Sequence, residues 1–249
     1  MAILIKTTAE IEKMRRSGIA LRKVHDAVAP FVKPGASTMD LENVAVAKIA
    51  ELGGIAAFKG YHGFPAALCT SINHEVVHGM PNAKRILKDG DIIAIDCGVI
   101  LEGFYSDAAV TYAVGTTSPS TRKLLDTTLA SLEAAILECK VGNRLFDIGA
   151  TVQEICEGAG LGVVRDFVGH GIGRSMHEDP QVPNIGTHGK GLRLKAGMVL
   201  AIEPMINAGR PEVKVLPDGW TAVTVDGSYS AHFEHTVAIT KDGPQVLTR

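Results

Sequence analysis

Cysteine is sparse in this chain, and its spacing pairs with nothing. Four cysteines (Cys69, Cys97, Cys139, Cys156) lie far apart in 249 residues, with no CxxC among them. That excludes a disulfide-framed secreted scaffold and a zinc ribbon, and it reads as reduced, buried thiols of a cytosolic protein. Net charge is nearly absent too. Lys and Arg number 25 against 27 Asp and Glu, a balance of −2, so the chain is not built mainly to hold nucleic acid or an anionic membrane. No apolar run approaches the roughly 20 residues of a membrane-spanning helix. The apolar stretch between Met1 and Lys6 is shorter than the roughly 7–15 residues of a secretory core, so no secretory leader is expected. No low-complexity linker divides the sequence. What is present is 46% hydrophobic residues, enough to exclude disorder and to fill one large core or two modest ones.

The helical signals come in two sets. Thr7 with Glu10 fits a capping box, followed by an apolar stripe of Ile11, Met14, Leu21, Val24 and Val28. Pro34-Gly35 breaks the chain, and a second helix runs from about Ser37 to Gly53-Gly54. The pattern then recurs. Ser118-Pro119 opens a helix with Leu125, Leu129, Leu132, Ile136 and Cys139 on one face, Gly142 breaks it, and another runs from about Phe146 to Gly158. At a shift of 107 residues, Lys33, Gly35, Asp40 and Leu41 fall on Lys140, Gly142, Asp147 and Ile148. The same shift lays the ten residues Leu87–Asp96 on Leu194–Glu203, each copy ending in a carboxylate. This register predicts an α+β fold made of two helix–helix–strand units related by a pseudo-twofold. Residues 1–249 then form a single domain with halves of about 1–115 and 116–249.

The apolar runs Ile92–Ile95 and Val199–Ile202 read as strands covered on both faces, with Asp96 and Glu203 at their ends. Hairpin partners are expected at Phe104–Val114 and His232–Thr240, holding Asp107 and Glu234. This second pair is offset by 127 residues, so about 20 are inserted between Met205 and His232. That segment, with Pro211, Pro217, Gly219 and Trp220, reads as an exposed loop. A twofold brings all four acids together, and burying unpaired charge costs many kcal/mol. Pairing each acid with Lys or Arg is one remedy, but neither strand copy carries either residue. Two divalent cations, bridged by shared carboxylates, are the other. The run Gly169-His170-Gly171-Ile172-Gly173 with His177 is not a GxGxxG phosphate loop. Its two histidines suit one metal ligand and one catalytic group, and His78 is a third candidate. His62 and His74 receive no role. His25, His188, His232 and His235 are read as structural or surface residues.

Taken together, Asn73–Pro81 around His78, Ile95-Asp96-Cys97-Gly98, Tyr105-Ser106-Asp107, the glycine-flanked His170 with His177, Glu203-Pro204 and Phe233-Glu234-His235-Thr236 resemble the bacterial type I methionine aminopeptidases. The likeness runs over essentially the whole chain. It implies the pita-bread fold, in which duplicated units surround a curved antiparallel sheet, and two-metal hydrolysis with a bridging water. Asp96, Asp107, His170, Glu203 and Glu234 would hold two divalent ions (Co, Mn, Fe or Zn), with Asp107 and Glu234 shared. His78 and His177 would contact the scissile amide and its carbonyl, and Glu203 would relay the proton. Tyr61, Phe64, Cys69, Met176 and Trp220 would line the methionine pocket. Phe58 and Met176 stand where the family often has Cys and Phe, which alters the pocket's shape more than the reaction. The implied substrate is the N-terminal peptide of nascent polypeptides with a small second residue. It would be met in the cytoplasm by a monomer with at most transient ribosome contact. Nucleic acid and membrane are not expected as partners.

Two rivals share the fold. Aminopeptidase P or prolidase usually carries an extra N-terminal domain, for which a helix starting near Thr7 leaves no room. A non-enzymatic peptide- or RNA-binding relative tends to lose ligands that are all kept here. The type II methionine enzymes carry a helical insertion that does not fit the 31 residues between Glu203 and Glu234.

Overall fold

Thr7 starts the first helix by exchanging hydrogen bonds with Glu10. The Glu10 N–H donates to Thr7 Oγ1 (3.2 Å) and the Thr7 N–H to Glu10 Oε2 (3.0 Å). The computed structural model describes residues 3–249; Met1 and Ala2 lie outside it. In chain order the first half holds α1 (Thr8–Val28), α2 (Thr38–Glu51), β1 (Ile55–Ala56), β2 (Leu68–Ile72), β3 (Glu75–Val77), β4 (Ile92–Leu101) and β5 (Phe104–Ala113). The second holds α3 (Pro119–Leu137), α4 (Leu145–Gly158), β6 (Gly162–Val163), β7 (Gly169–Gly171), β8 (Glu178–Val182), β9 (Val199–Ile202), β10 (Met205–Asn207), β11 (Val213–Val215), β12 (Ala222–Thr224), β13 (Ser230–His232), β14 (His235–Thr240) and β15 (Gly243–Val246).

The 107-residue repeat reappears in detail. The Ser37 N–H donates to Asp40 Oδ2 (2.8 Å), and the Arg144 N–H to Asp147 Oδ2 (2.6 Å). Isolated bridges join Ser37 to Ile86 and Arg144 to Arg193. Helices α1 and α2 cover one sheet, in which β4 is flanked by β5 on one edge and by β1 and β2 on the other. Helices α3 and α4 pack together in the second half, whose main sheet runs β15-β14-β9-β7-β8. Along β4 the side chains alternate: Ile93, Ile95, Cys97 and Val99 join Leu21, Val24, Leu41 and Ile49 in the core, which leaves Asp96 on the face away from the helices. The halves meet where β5 runs antiparallel to residues 232–236. Asp107 N–H donates to Thr236 Oγ1 (3.0 Å), Glu234 N–H to Ala109 O (2.9 Å) and His232 N–H to Thr111 Oγ1 (2.9 Å). The 127-residue relation exchanges the first two of these contacts, which puts the local twofold between Ala108 and His235.

Four expectations need correction. Asp96 is not at a strand end: β4 continues six residues past Ile95, to Leu101, because Cys97 still pairs with Ala108. In the second copy Pro204 has no N–H to give, and the strand breaks after Ile202. The expected strand His232–Thr240 is two strands, β13 and β14. It shifts at Phe233-Glu234 from pairing with β10 to pairing with β9. The insertion is only partly an exposed loop: Ala222, Val223 and Thr224 are buried, and β11 and β12 form a small sheet with β3. Finally, Leu129 faces solvent and Leu124 takes the buried place on α3.

Candidate active site

The two hairpins deliver their acids differently. In the first, Asp107 stands opposite Gly98. A Cβ on that glycine would fall 2.8–3.0 Å from Phe58, Ala57 and Met176, so the missing side chain leaves room for the pocket wall. In the second, the break after Ile202 and the break before His235 face each other, and Glu203 and Glu234 occupy this shared kink. Strand β7 places His170 opposite Ala201, the position that Ser71 holds opposite Ala94 in the first half. His170 Nδ1 lies 2.9 Å from Gly171 O. A carbonyl only accepts, so Nδ1 carries the proton and Nε2 turns its lone pair on the acids. It lies 3.9 Å from Asp107 Oδ2 and 3.6 Å from Glu203 Oε1. Asp107, His170 and Glu234 each offer a ligand atom within 4.8 Å of the other two.

These acids lack the partners that buried charge requires. Asp96 Oδ1, Asp107 Oδ1 and Glu234 Oε1 are buried without a hydrogen bond, and among the described residues the ion pairs of Asp107, Glu203 and Glu234 are with histidines alone. Burial pushes Asp96 up to about 7. It also pushes Asp107, Glu203 and Glu234 well above the usual carboxylate range, with neighbouring carboxylates adding to the rise. Burial drives His170 down to about 3, with His177 adding to the effect. Oxygen-rich, unpaired and next to a neutral imidazole, the set fits divalent cations.

A cavity of about 250 Å³ opens beside the acids. Its wall holds Tyr61, Phe64, Cys69, His78, Asp96, Asp107, His170, Met176, His177, Glu203, Trp220 and Glu234, so every residue singled out in the sequence reaches one space. Trp220 leaves the insertion to stack edge-on against Phe64 at 5.1 Å. His78 follows β3, which is braced by β12 through Val77 and Ala222. It has a left-handed φ of 63°, and its ring meets Phe167 at 5.6 Å and Trp220 at 6.4 Å. His177 lies 4.2 Å from the His170 ring, and its Nδ1 is 2.7 Å from the Tyr61 hydroxyl.

The model of metallopeptidase family M24 matches residues 12–241. The chain belongs to this family. Its M24 sequence is 51% identical over 246 residues to a methionine aminopeptidase of Clostridium perfringens, covering 99% of this chain and 98% of that one. The solved methionine aminopeptidase of Thermotoga maritima superposes with a TM-score of 0.98 at 48% identity, over the full length of both chains. A prolidase from Pyrococcus horikoshii superposes at 0.79 with 22% identity, covering 98% of this chain and 63% of that one, a likeness of fold alone. The M24 fold is thus the duplicated pita-bread architecture. Among the described residues, no helix is long and apolar enough to cross a membrane.

Two residues of this M24 site escaped the sequence reading. His62 lines the cavity, and its place between Gly60 and Gly63 signalled a tight turn. His232 is buried with neither ring nitrogen bonded, and its Nε2 stands 3.8 Å from Glu203 and 3.9 Å from Glu234. The expected single strand His232–Thr240 would put it on the face of Glu234, two residues on, and that was the available signal; the structure reaches the same neighbourhood through the kink between β13 and β14.

Proposed function

We propose that this chain removes the N-terminal methionine from polypeptides by metal-dependent hydrolysis. The observation carrying this is the juxtaposition in one cavity of four acids that have no Lys or Arg partner among the described residues, four histidines and an apolar pocket. Asp96, Asp107, His170, Glu203 and Glu234 would hold the metal, with two ions as the number that balances four carboxylates. One imidazole among carboxylates suits Mn, Fe or Co at least as well as Zn. When bound, such ions supply Lewis acidity and a water acidic enough to ionise near neutral pH. Glu203 accepts a proton and returns it to the leaving amine. In the tautomer where the Tyr61 hydroxyl donates to His177 Nδ1, the His177 Nε2–H donates to the carbonyl oxygen as charge builds there. His78, whose ring packs against Phe167 and Trp220, would contact the scissile amide. Tyr61, Phe64, Cys69, Met176 and Trp220 enclose an unbranched thioether side chain, an environment that sulfur favours. We read residues 1–249 as one catalytic domain whose halves divide near 115. Four free, buried thiols suit work in the cytoplasm.

The test is hydrolysis by protein loaded with Mn²⁺ or Co²⁺. Methionine should be released from Met-Ala-Ser, not from Met-Leu-Ser, and an Xaa-Pro dipeptide should stay intact. Xaa-Pro cleavage, or peptide binding without turnover, overturns the reading.

A further inference from the structure

The turn that carries Met176 and His177 is closed from outside the cavity. Glu178 folds back so that its Oε1 accepts the N–H groups of Arg174 (2.9 Å) and Ser175 (3.3 Å), while its Oε2 meets Lys6 Nζ at 2.5 Å. Only 6% of the Lys6 side chain and 5% of Glu178 are exposed. Gly173 makes the approach possible, because a Cβ there would fall 2.6 Å from both Glu178 Oε1 and Lys6 Cε. The backbone of Lys6 is tied as well. Its N–H donates to Gly197 O (2.8 Å), and the Gly197 N–H donates to Ile239 O (2.9 Å), in the turn that begins β9 and so leads to Glu203. One residue thus links the His177 turn to the strand before Glu203. Neither Lys6 nor Glu178 lines the cavity. A buried ion pair is no more stabilising than apolar packing of the same volume, so stability alone gives no reason for charge at this place.

We propose that Lys6 and Glu178 are a positioning pair for His177: they fix the turn Gly173–Glu178, and through it the imidazole, relative to His170 and Glu203. This rests on the role assigned above to His177, and the experiment separates the two. Full-length K6M, E178Q, K6M/E178Q and H177A are compared with the parent on Met-Ala-Ser. Glutamine keeps an oxygen for the Arg174 and Ser175 N–H groups. Each single charge deletion strands the other buried charge and should melt lower. The double variant removes both charges, and its Tm should return to within a few degrees of the parent. Its kcat should nonetheless stay at least about tenfold down with KM within about twofold, since a displacement of about 1 Å in a reacting group costs up to about a hundredfold. In metal-free protein labelled with 15N-histidine, the His177 ring signals should move in the double variant while those of exposed His188 stay put. If kcat recovers together with Tm, the pair is structural only and the proposal fails. If H177A keeps the parental kcat, the assignment of His177 falls instead, a failure visible without either charge variant.

Discussion

Loading this protein with Mn²⁺ or Co²⁺ should expel protons, and more of them in acid than in alkali. The cause is the crowding of Asp96, Asp107, Glu203 and Glu234. Each carboxyl lies above its ordinary pKa in the metal-free fold, and each must be ionised to bind a cation. Asp96, at about 7, supplies the scale. At pH 6 it is about 90% protonated and at pH 8 about 10%, so it alone gives up about 0.9 proton per site loaded at the lower pH and about 0.1 at the higher. Displacing that proton at pH 6 costs about 1.4 kcal/mol, a tenfold loss of metal affinity relative to alkaline solution. The three other acids, raised in the same direction, add to the release. Titration calorimetry in buffers of different ionisation enthalpy counts the protons, and the pH dependence of the binding constant gives the same number as its slope. Metal binding that releases no proton at pH 6 would refute the argument, because it would mean that the acids are already ionised and neutralised by something else.

Three further outcomes follow from the same geometry. Asp107→Asn with Glu234→Gln removes two of the crowded charges. The metal-free double variant should melt at or above the parent in thermal scans, while chelator-sensitive activity falls by at least about a thousandfold, since the acids proposed to be shared between the ions are gone. Gly98→Ala puts a methyl 2.8–3.0 Å from Phe58, Ala57 and Met176. Overpacking of that kind costs about 1–3 kcal/mol, so Tm should drop and KM for Met-Ala-Ser should rise; an unchanged KM would mean that this wall does not shape the methionine pocket. His170, His232 and His235 are each driven down to about 3, chiefly by burial. Their folded values lie below the unfolded value of 6.5, so the stability they contribute is whole above that pH and is lost as pH falls, by about 1.4 kcal/mol per unit for each. Asp96, Asp107, Glu203 and Glu234 are all raised and act in the opposite sense, so the stability they contribute grows as pH falls. A calorimetric series on metal-free protein from pH 6.5 to 4.5 should therefore show the Tm of the Asp107→Asn/Glu234→Gln variant falling relative to the parent, because the variant keeps the histidines and has lost two of the opposing acids.

Much of this was readable from residues because the decisive signals are local or repeated. Thr7 with Glu10 and Ser37 with Asp40 set helix starts by bonds spanning three residues. The acids were visible because each occurs twice at matching places in apolar strands. The misreadings share a different cause: in each, a tertiary partner decides. Ala222–Thr224 looks like loop because its hydrogen-bonding partner is β3, about 145 residues earlier. His232 looks incidental until the kink at Phe233-Glu234 turns it toward Glu203. Lys6 has no local sign of function at all, since its partner lies 172 residues away.

The places where the two copies differ explain how a near-symmetric frame gains a direction. A strict repeat would give each half the same acid pair and the same neighbours, and a peptide approaching it would have two equivalent ways to lie. The copies part at three positions beside the acids. Ser71 is matched by His170, so only one half offers an imidazole. Cys97 is matched by Pro204, so β4 runs on while β9 breaks, and Glu203 sits in a kink where Asp96 sits in a continuous strand. Gly98 is matched by Met205, so only the first copy leaves a side chain out where Phe58, Ala57 and Met176 close in. Each difference lies within two residues of an acid or replaces a ligand position. Duplication accounts for the crowded charge, and these substitutions turn it into a site with one imidazole ligand, one kinked acid and an apolar pocket beside them.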